Sequence, residues 1–440
     1  MKTNRHPIYS GALFLTISGL FCRFIGFYYK IFLSRNIGAK ELGLYQLSMP
    51  LLGVGIAFAN SGIHTAISKY VAGASATSKA SGKRYLWTGL VLSISLGLLY
   101  TLPVFCLSDM IAAKIFHQAT IAPLLRILVL CVPLECIHGC INGYYYGLQQ
   151  AAIPSGGQCV EQIVRVGSVF GMYYILMQTG TEFTKTHAMI GLVIGEVAAT
   201  LYYITILSLG TNPTGPKNFS FRPLAGQLLR MAYPLTATRL SLTFLSSFEN
   251  IIIPLRLVAF GLNKTQALSI YGIYSGMAVP MVFFPTVLSN SIAVMLLPSI
   301  SKAKQEGRHK YIQQAILISF FLCMLLGFLF AFFFYFFGAF IGENIFHNQV
   351  AGIYIKTLGW LCPFLFLGVT MNSILNGLGR TKDTFVISIC GALLRLSFIL
   401  FGVHRLGFRA FLLGVLISQI LSSFAAYLRL LYYCKKTQQT

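Results

Sequence analysis

An all-α, polytopic membrane protein is the fold class this sequence predicts, and three observations predict it. Of 440 residues, 56% are hydrophobic and only 10% charged, against about 25% charged in a soluble domain. The apolar stretches run for about 20 to 28 residues, the length of helix that crosses a bilayer. They lack the alternation of an outer-membrane barrel, so the spans are helices.

Taken in order, about twelve spans are expected, near 8–33, 43–68, 85–107, 120–148, 153–178, 186–210, 231–258, 267–298, 311–341, 349–378, 384–404 and 407–434. The first follows a short basic start, Met1 to Pro7, and is too long for the apolar region of a signal peptide, so it is read as a retained span. Prolines inside later spans (Pro50, Pro133, Pro254, Pro280, Pro285, Pro298, Pro363) remove backbone hydrogen bonds and permit bends. The longest polar break, Gly210 to Arg222, carries Asn212-Pro213 and Gly215-Pro216 and falls at the midpoint. It suggests an N-terminal six-helix bundle (1–210), a cytoplasmic linker (211–230) and a C-terminal six-helix bundle (231–440).

Three fragments recur at nearly constant offset: Ile67-Ser68-Lys69 against Ile300-Ser301-Lys302, Gly147-Leu148 against Gly377-Leu378, and Arg165 against Arg395. They point to an internal duplication. Six spans per half keep both halves in one orientation, so the expected architecture is two pseudo-symmetric six-helix bundles around a central cavity.

The net charge of +23 does not mark a nucleic-acid partner, because the cations lie in short loops and inside spans rather than in a soluble basic domain. Cations in the loops on one side, among them Lys69, Lys83, Arg84, Arg222, Lys304 and Arg380, outnumber those on the other about two to one, which places both termini in the cytoplasm. Ten acidic residues are too few and too dispersed for paired-carboxylate or metal-ligand spacing, and no phosphate-binding glycine motif occurs. No catalytic residue, metal or cofactor is expected. The ten cysteines form no C-x-x-C pair and read as small buried hydrophobes.

Charges inside spans carry the functional signal. A charge at the centre of a membrane helix costs about 2.5–3.5 kcal/mol on insertion scales, so such groups face a cavity, a pathway or a partner. Arg23 and Lys30 stand seven residues apart, on one face of the first span. With Arg165, Arg239 and Arg395 they are the candidate substrate-binding cations, suited to an anionic guest. Glu161, one turn before Arg165, and Glu249 are candidates for an ion pair or a coupling-ion site. Glu135, considered with Arg126, and Glu196 read as packing groups.

Several segments resemble the stage V sporulation protein B group of polysaccharide exporters. They are the run Phe21 to Phe27 with Ser34 to Leu47, Gly147 to Gln150 with Val160 to Arg165, Tyr274 to Met277 with Phe284 to Thr286, Leu297 to Lys302, and Asn376 to Lys382. The resemblance runs over nearly the whole chain. It implies the multidrug/oligosaccharidyl-lipid/polysaccharide (MOP) flippase superfamily, to which MATE exporters and MurJ-type lipid II flippases belong. It also implies a fold of two six-helix bundles around a cavity whose arginines, in lipid II flippases, serve a lipid-linked pyrophosphate. Arg23 matches one of those arginines; the Arg-Asp pair that follows it there reads Tyr29-Lys30 here. Relatives commonly carry fourteen helices, the last two offering a groove for the polyprenyl tail, against about twelve spans here.

The function expected is therefore a flippase for a lipid-linked cell-envelope oligosaccharide, a peptidoglycan or polysaccharide precursor, in a bacterial cytoplasmic membrane. Its partners would be the polyprenyl-linked anionic glycan, the lipid bilayer, H+ or Na+ as coupling ion, and envelope synthases. The alternatives are a cation-coupled exporter of organic cations and a sporulation or envelope scaffold that does not transport.

Overall fold

The structure is a computed structural model that describes residues 7–75, 79–209 and 221–438. Among these residues every regular element is helical. In chain order they are α1 (Pro7–Ala59), α2 (Ser61–Ser75), α3 (Lys79–Cys106), α4 (Ser108–Lys114), α5 (Ala122–Val129), α6 (Cys131–Gly147), α7 (Ala152–Thr179), α8 (Lys185–Leu209) and α9 (Phe221–Ala259). They continue with α10 (Lys264–Gly272), α11 (Val279–Phe283), α12 (Thr286–Gln305), α13 (His309–Phe340), α14 (Gln349–Gly359), α15 (Cys362–Gly377), α16 (Thr381–Ser397), α17 (Val403–Leu406) and α18 (Phe408–Gln438). Short π-helical turns follow α10, α13 and α16.

Eight helical stretches are long and apolar enough to cross a membrane, or ten if each of two bent pairs is one span. The stretch Ile17–Gly73 is among the eight as a single piece, although Gly38 divides it, and α7 stands outside that set. Counting the two parts of that stretch separately and adding α7 accommodates the twelve spans expected. Between 22% and 50% of each apolar window is buried. The remainder, including Phe321, Leu325 and Phe336 along α13, is apolar surface suited to lipid.

The first two expected spans are not separated by a loop. Helix α1 runs through both and changes direction at Gly38, whose backbone (φ 76°, ψ 168°) lies in a region that only glycine enters without strain. Elsewhere proline marks the breaks. Lys264–Phe283 meets Thr286–Gln305 at 55°, and Gln349–Gly359 meets Cys362–Gly377 at 52°; Pro285 precedes the second segment of one pair, and Pro363 stands in the first turn of the second segment of the other. There the missing N–H costs no helical hydrogen bond. Pro50, in the part of α1 after Gly38, and Pro298, in α12, by contrast sit within continuous helical runs. Of the polar segment 211–230, residues 221–230 are the opening turns of α9, and the rest lies outside the described residues.

The chain forms two compact units, one of Met1–Tyr29 with Leu44–Ser247, the other of Lys30–Gly43 with Phe248–Thr440. In the first, α2, α3 and α6 pack together and α8 rests on α6 and α7, around a core that includes Ile67, Leu86, Tyr144 and Tyr203. In the second, α15 lies against α12, α13 and α18, and α16 against α18. The segment Lys30–Gly43 docks there because Gly43 and Gly272 bring two backbones together: a Cβ on Gly43 would lie 2.2 Å from the Leu268 carbonyl oxygen.

The duplication is written into the backbone of each unit. His117 and His347 both adopt positive φ (51° and 52°), as do Gln149 and Gly379 (60° and 74°). Each pair is 230 residues apart in the sequence, the spacing of Gly147 to Gly377. A Cβ on Gly147 would approach the Ser68 carbonyl oxygen at 2.7 Å, and one on Gly377 the Leu297 carbonyl oxygen at 2.8 Å. Each unit therefore makes this helix contact in the same way.

Candidate functional site

In the first unit the charges converge because two helices touch. Positions 191 and 195 of α8 are glycine, four residues apart on one face. A Cβ on Gly191 would stand 2.2 Å from Val169 Cγ2, and one on Gly195 2.9 Å from Arg165 Cβ. This small-xxx-small contact lets α8 close on α7. It also carries the next residue, Glu196, to the Arg165 guanidinium.

A continuous polar chain results. Arg165 pairs with Glu161 one turn earlier on α7, and its Nη2 lies 3.7 Å from Glu196 Oε1. The other Glu196 oxygen, Oε2, is 3.4 Å from His138 Nε2 on α6. His138 Nε2 in turn meets Glu135 Oε2 at 2.5 Å, one turn back on the same helix. Glu196 is 6% exposed and His138 4%. Tyr203 packs edge-on against the imidazole, with ring centroids 5.6 Å apart, and is itself held by donating to the Pro154 carbonyl at 3.0 Å. Asn60 Nδ2 donates to the Glu135 carbonyl at 3.1 Å.

Two expectations need correction here. Arg126 does not accompany Glu135; its guanidinium donates to Asp109 at 2.5 Å and to Ser108 at 2.8 Å, while Glu135 turns to His138. The reading that the acids have no metal-ligand spacing held only along the chain: in space, ligand atoms of Glu135, His138 and Glu196 all lie within 4.8 Å of one another. His138 escaped notice as one histidine in an apolar run. The signals that could have found it were the Glu-x-x-His spacing on α6 and the Gly-x-x-x-Gly that precedes Glu196.

Arg23 belongs to the same unit and is exposed. Its neighbour Cys22 faces α7, with its Sγ 3.7 Å from Cys159 Sγ, so Arg23, one residue on, is turned off that contact. Arg239 on α9 is also exposed and lies within electrostatic range of His64. Arg165, by contrast, is engaged by acids on two helices.

The second unit holds Lys30, Glu249 and Arg395. Lys30 is half-buried on α1. Glu249, on α9 and 8% exposed, accepts from Arg395 Nε on α16 at 3.2 Å. Its second oxygen, Oε1, is buried with no hydrogen-bond partner among the described residues. The pair borders a cavity of ≈ 240 Å³ that Asn250, Tyr274 and Gln419 also line, with Phe411 on its apolar side. Tyr274 projects from the π-helical turn Ile273–Ala278, an irregularity frequent at functional sites, and its ring meets Phe408 and Phe411 edge-on.

Each unit thus contains a half-buried ion pair in which a carboxylate holds an arginine. Breaking a buried pair by removing one partner typically costs about 3–5 kcal/mol. Arg165 and Arg395 each have carboxylates as partners in the structure. Arg23 and Arg239 are exposed at the surface of the first unit.

Comparison with known proteins identifies the family and the fold. The family described as "Polysaccharide biosynthesis protein" matches residues 8–304, and the MatE family matches residues 241–401. The chain is 25% identical over 421 residues to "Stage V sporulation protein B" of Bacillus subtilis (strain 168), covering 93% of this chain and 81% of that protein. It is 22% identical over 419 residues to "Lipid II flippase MurJ" of the same organism, covering 88% and 75%. Its backbone superimposes with a TM-score of 0.76 on the inward-facing conformation of a multidrug resistance MATE family transporter of the MOP superfamily, at 14% identity, covering 94% of this chain and 95% of that one.

Proposed function

We propose, from the premise that this chain belongs to the polysaccharide biosynthesis protein family, that it translocates a lipid-linked, anionic cell-envelope glycan precursor across a bacterial cytoplasmic membrane. The chain is a multi-pass membrane transporter with the MATE fold, not an enzyme. The observation that carries the choice of guest is Arg23, an exposed guanidinium within a membrane-spanning helix. A planar guanidinium donates two parallel hydrogen bonds to a phosphate, an interaction that offsets the cost of holding both charges away from bulk water. A relative named as a lipid II flippase supports a lipid-linked substrate.

We read 1–210 and 231–440 as the two duplicated halves, joined by the linker 211–230, with both termini in the cytoplasm. Alternation between inward- and outward-open states would carry the head group while the prenyl chain stays in lipid. Coupling follows from the ion pairs. H+ or Na+ arriving at Glu249 would compete with Arg395 for the carboxylate and free the guanidinium for the head group; Glu161 and Arg165 offer the same exchange in the first unit. Arg239 and Lys30 complete the set of cations assigned to the substrate, and envelope synthases are the partners that would supply or consume it.

The test is transport by the purified chain in proteoliposomes. Undecaprenyl-pyrophosphate-linked glycan should be flipped, and organic cations should not accumulate under a proton or sodium gradient. Cation export without glycan flipping would assign the protein to multidrug efflux; inactivity toward both would assign it to a scaffold.

A further inference from the structure

We propose that Glu135, His138 and Glu196 form a binding site for a divalent transition-metal ion inside the first unit. The ligand set comes first. An imidazole nitrogen and two carboxylate oxygens from α6 and α8 lie within 4.8 Å of one another. Imidazole with carboxylate suits Zn²⁺, Mn²⁺ or Fe²⁺, whereas Na⁺ and Mg²⁺ take oxygen ligands. The Glu-x-x-His spacing puts two ligands one turn apart on one helix, a chelating arrangement that carboxylate-bridged metal proteins use in helical bundles. His138 Nε2 and Glu196 Oε2, 3.4 Å apart, already have the separation of two ligands about 2.0–2.2 Å from one zinc ion. Glu135, whose side chain is the most accessible of the three at 27%, needs only to swing outward to become the third. Three ligands leave a coordination position open on its side.

Two further observations point to a cation. Glu196 Oε2 is buried and has no hydrogen-bond partner among the described residues, though it faces the imidazole, and an ionised oxygen in that position is costly unless a cation satisfies it. The local charge is also unbalanced. Arg165 pairs with Glu161 and Glu196 and Glu135 meets His138, so three carboxylates face one guanidinium and the one proton that His138 and Glu135 share; one negative charge is left over, and a divalent ion that displaces the shared proton brings the cluster to zero. His64 stands on the Glu135 side of the cluster, with Arg239 beyond it.

The duplication argues that the fold does not need these groups. At the 230-residue spacing, Glu135 and His138 correspond to Leu365 and Gly368 of α15, both buried and both uncharged, with Ser423 and Gln419 beside Gly368. One half builds the same helix without charge, so the polar cluster serves something other than architecture. Metal binding would displace the proton shared by His138 and Glu135, releasing it to solvent.

The experiment is calorimetric titration of the purified, tag-free full chain with Zn²⁺, run in two buffers of different ionisation enthalpy so that proton release is read with affinity. One ion per chain with a proton released is expected. His138→Gln and Glu196→Gln should each weaken binding at least about 100-fold, since even outer-sphere partners of a metal are worth 10- to 100-fold, and His309→Gln in the second unit should leave it unchanged. Should either variant fail to purify as a single species, the visible spectrum of the Co²⁺-loaded wild type decides: intense low-symmetry bands support the site, and the spectrum of aquated Co²⁺ overturns it. Absent binding, or binding that survives both variants, overturns it as well, and does so without reference to glycan transport.

Discussion

Glu249 and Arg395 show how a buried pair behaves when it is not treated as a unit. With Glu249 8% exposed, Arg395→Met leaves a carboxylate with no counter-charge, and a loss of about 3–5 kcal/mol is expected. Replacing both, as Glu249→Gln with Arg395→Met, should recover most of that stability. Thermal unfolding in detergent, followed by tryptophan fluorescence, measures both; a double variant no more stable than the single one would mean that the pair matters for reasons other than mutual neutralisation. The pairing partners were only partly legible in the sequence. Glu161 and Arg165 are one turn apart on one helix, so their contact could be read from spacing, whereas Glu249 and Arg395 meet across 146 residues and no local pattern announces it. Glu196 illustrates the same limit: its burial beside His138 depends on how closely α8 approaches α6 and α7.

At the scale of elements, glycine sets that approach. Gly195→Ala forces a methyl to within 2.9 Å of Arg165 Cβ and 3.0 Å of the Glu161 carbonyl oxygen, so the helices must separate, at about 1–3 kcal/mol for an overpacked contact. Gly167→Ala, on α7 with nothing within 4 Å of its new Cβ, should be neutral or slightly stabilising, because alanine favours the helix. Unfolding of the two variants side by side measures the difference; equal stability would contradict close packing of α7 on α8. The helices themselves were readable from apolar length, and two of the proline breaks from composition. The passage of α1 through Gly38 was not, because a glycine followed by Ala39, Lys40 and Glu41 looks like any polar turn until its backbone angles are known.

For the whole molecule, the repeat at 230 residues is the feature that sequence and structure state alike. Arg165 and Arg395 sit at equivalent positions of the two halves, yet one is held by acids of α7 and α8 and the other by an acid of α9. The halves have kept their backbone and diverged in their charges. The exposed cations Arg23 and Arg239 both lie in the first unit. The central claim is that Arg23 meets an anionic head group, and flipping of undecaprenyl-pyrophosphate-linked glycan by purified Arg23→Ala in proteoliposomes tests it most directly. A loss of about 10-fold or more is expected, as for removal of one charge-assisted hydrogen-bonding group worth about 1.5–3 kcal/mol, with partial recovery in Arg23→Lys; a rate equal to wild type would contradict the account.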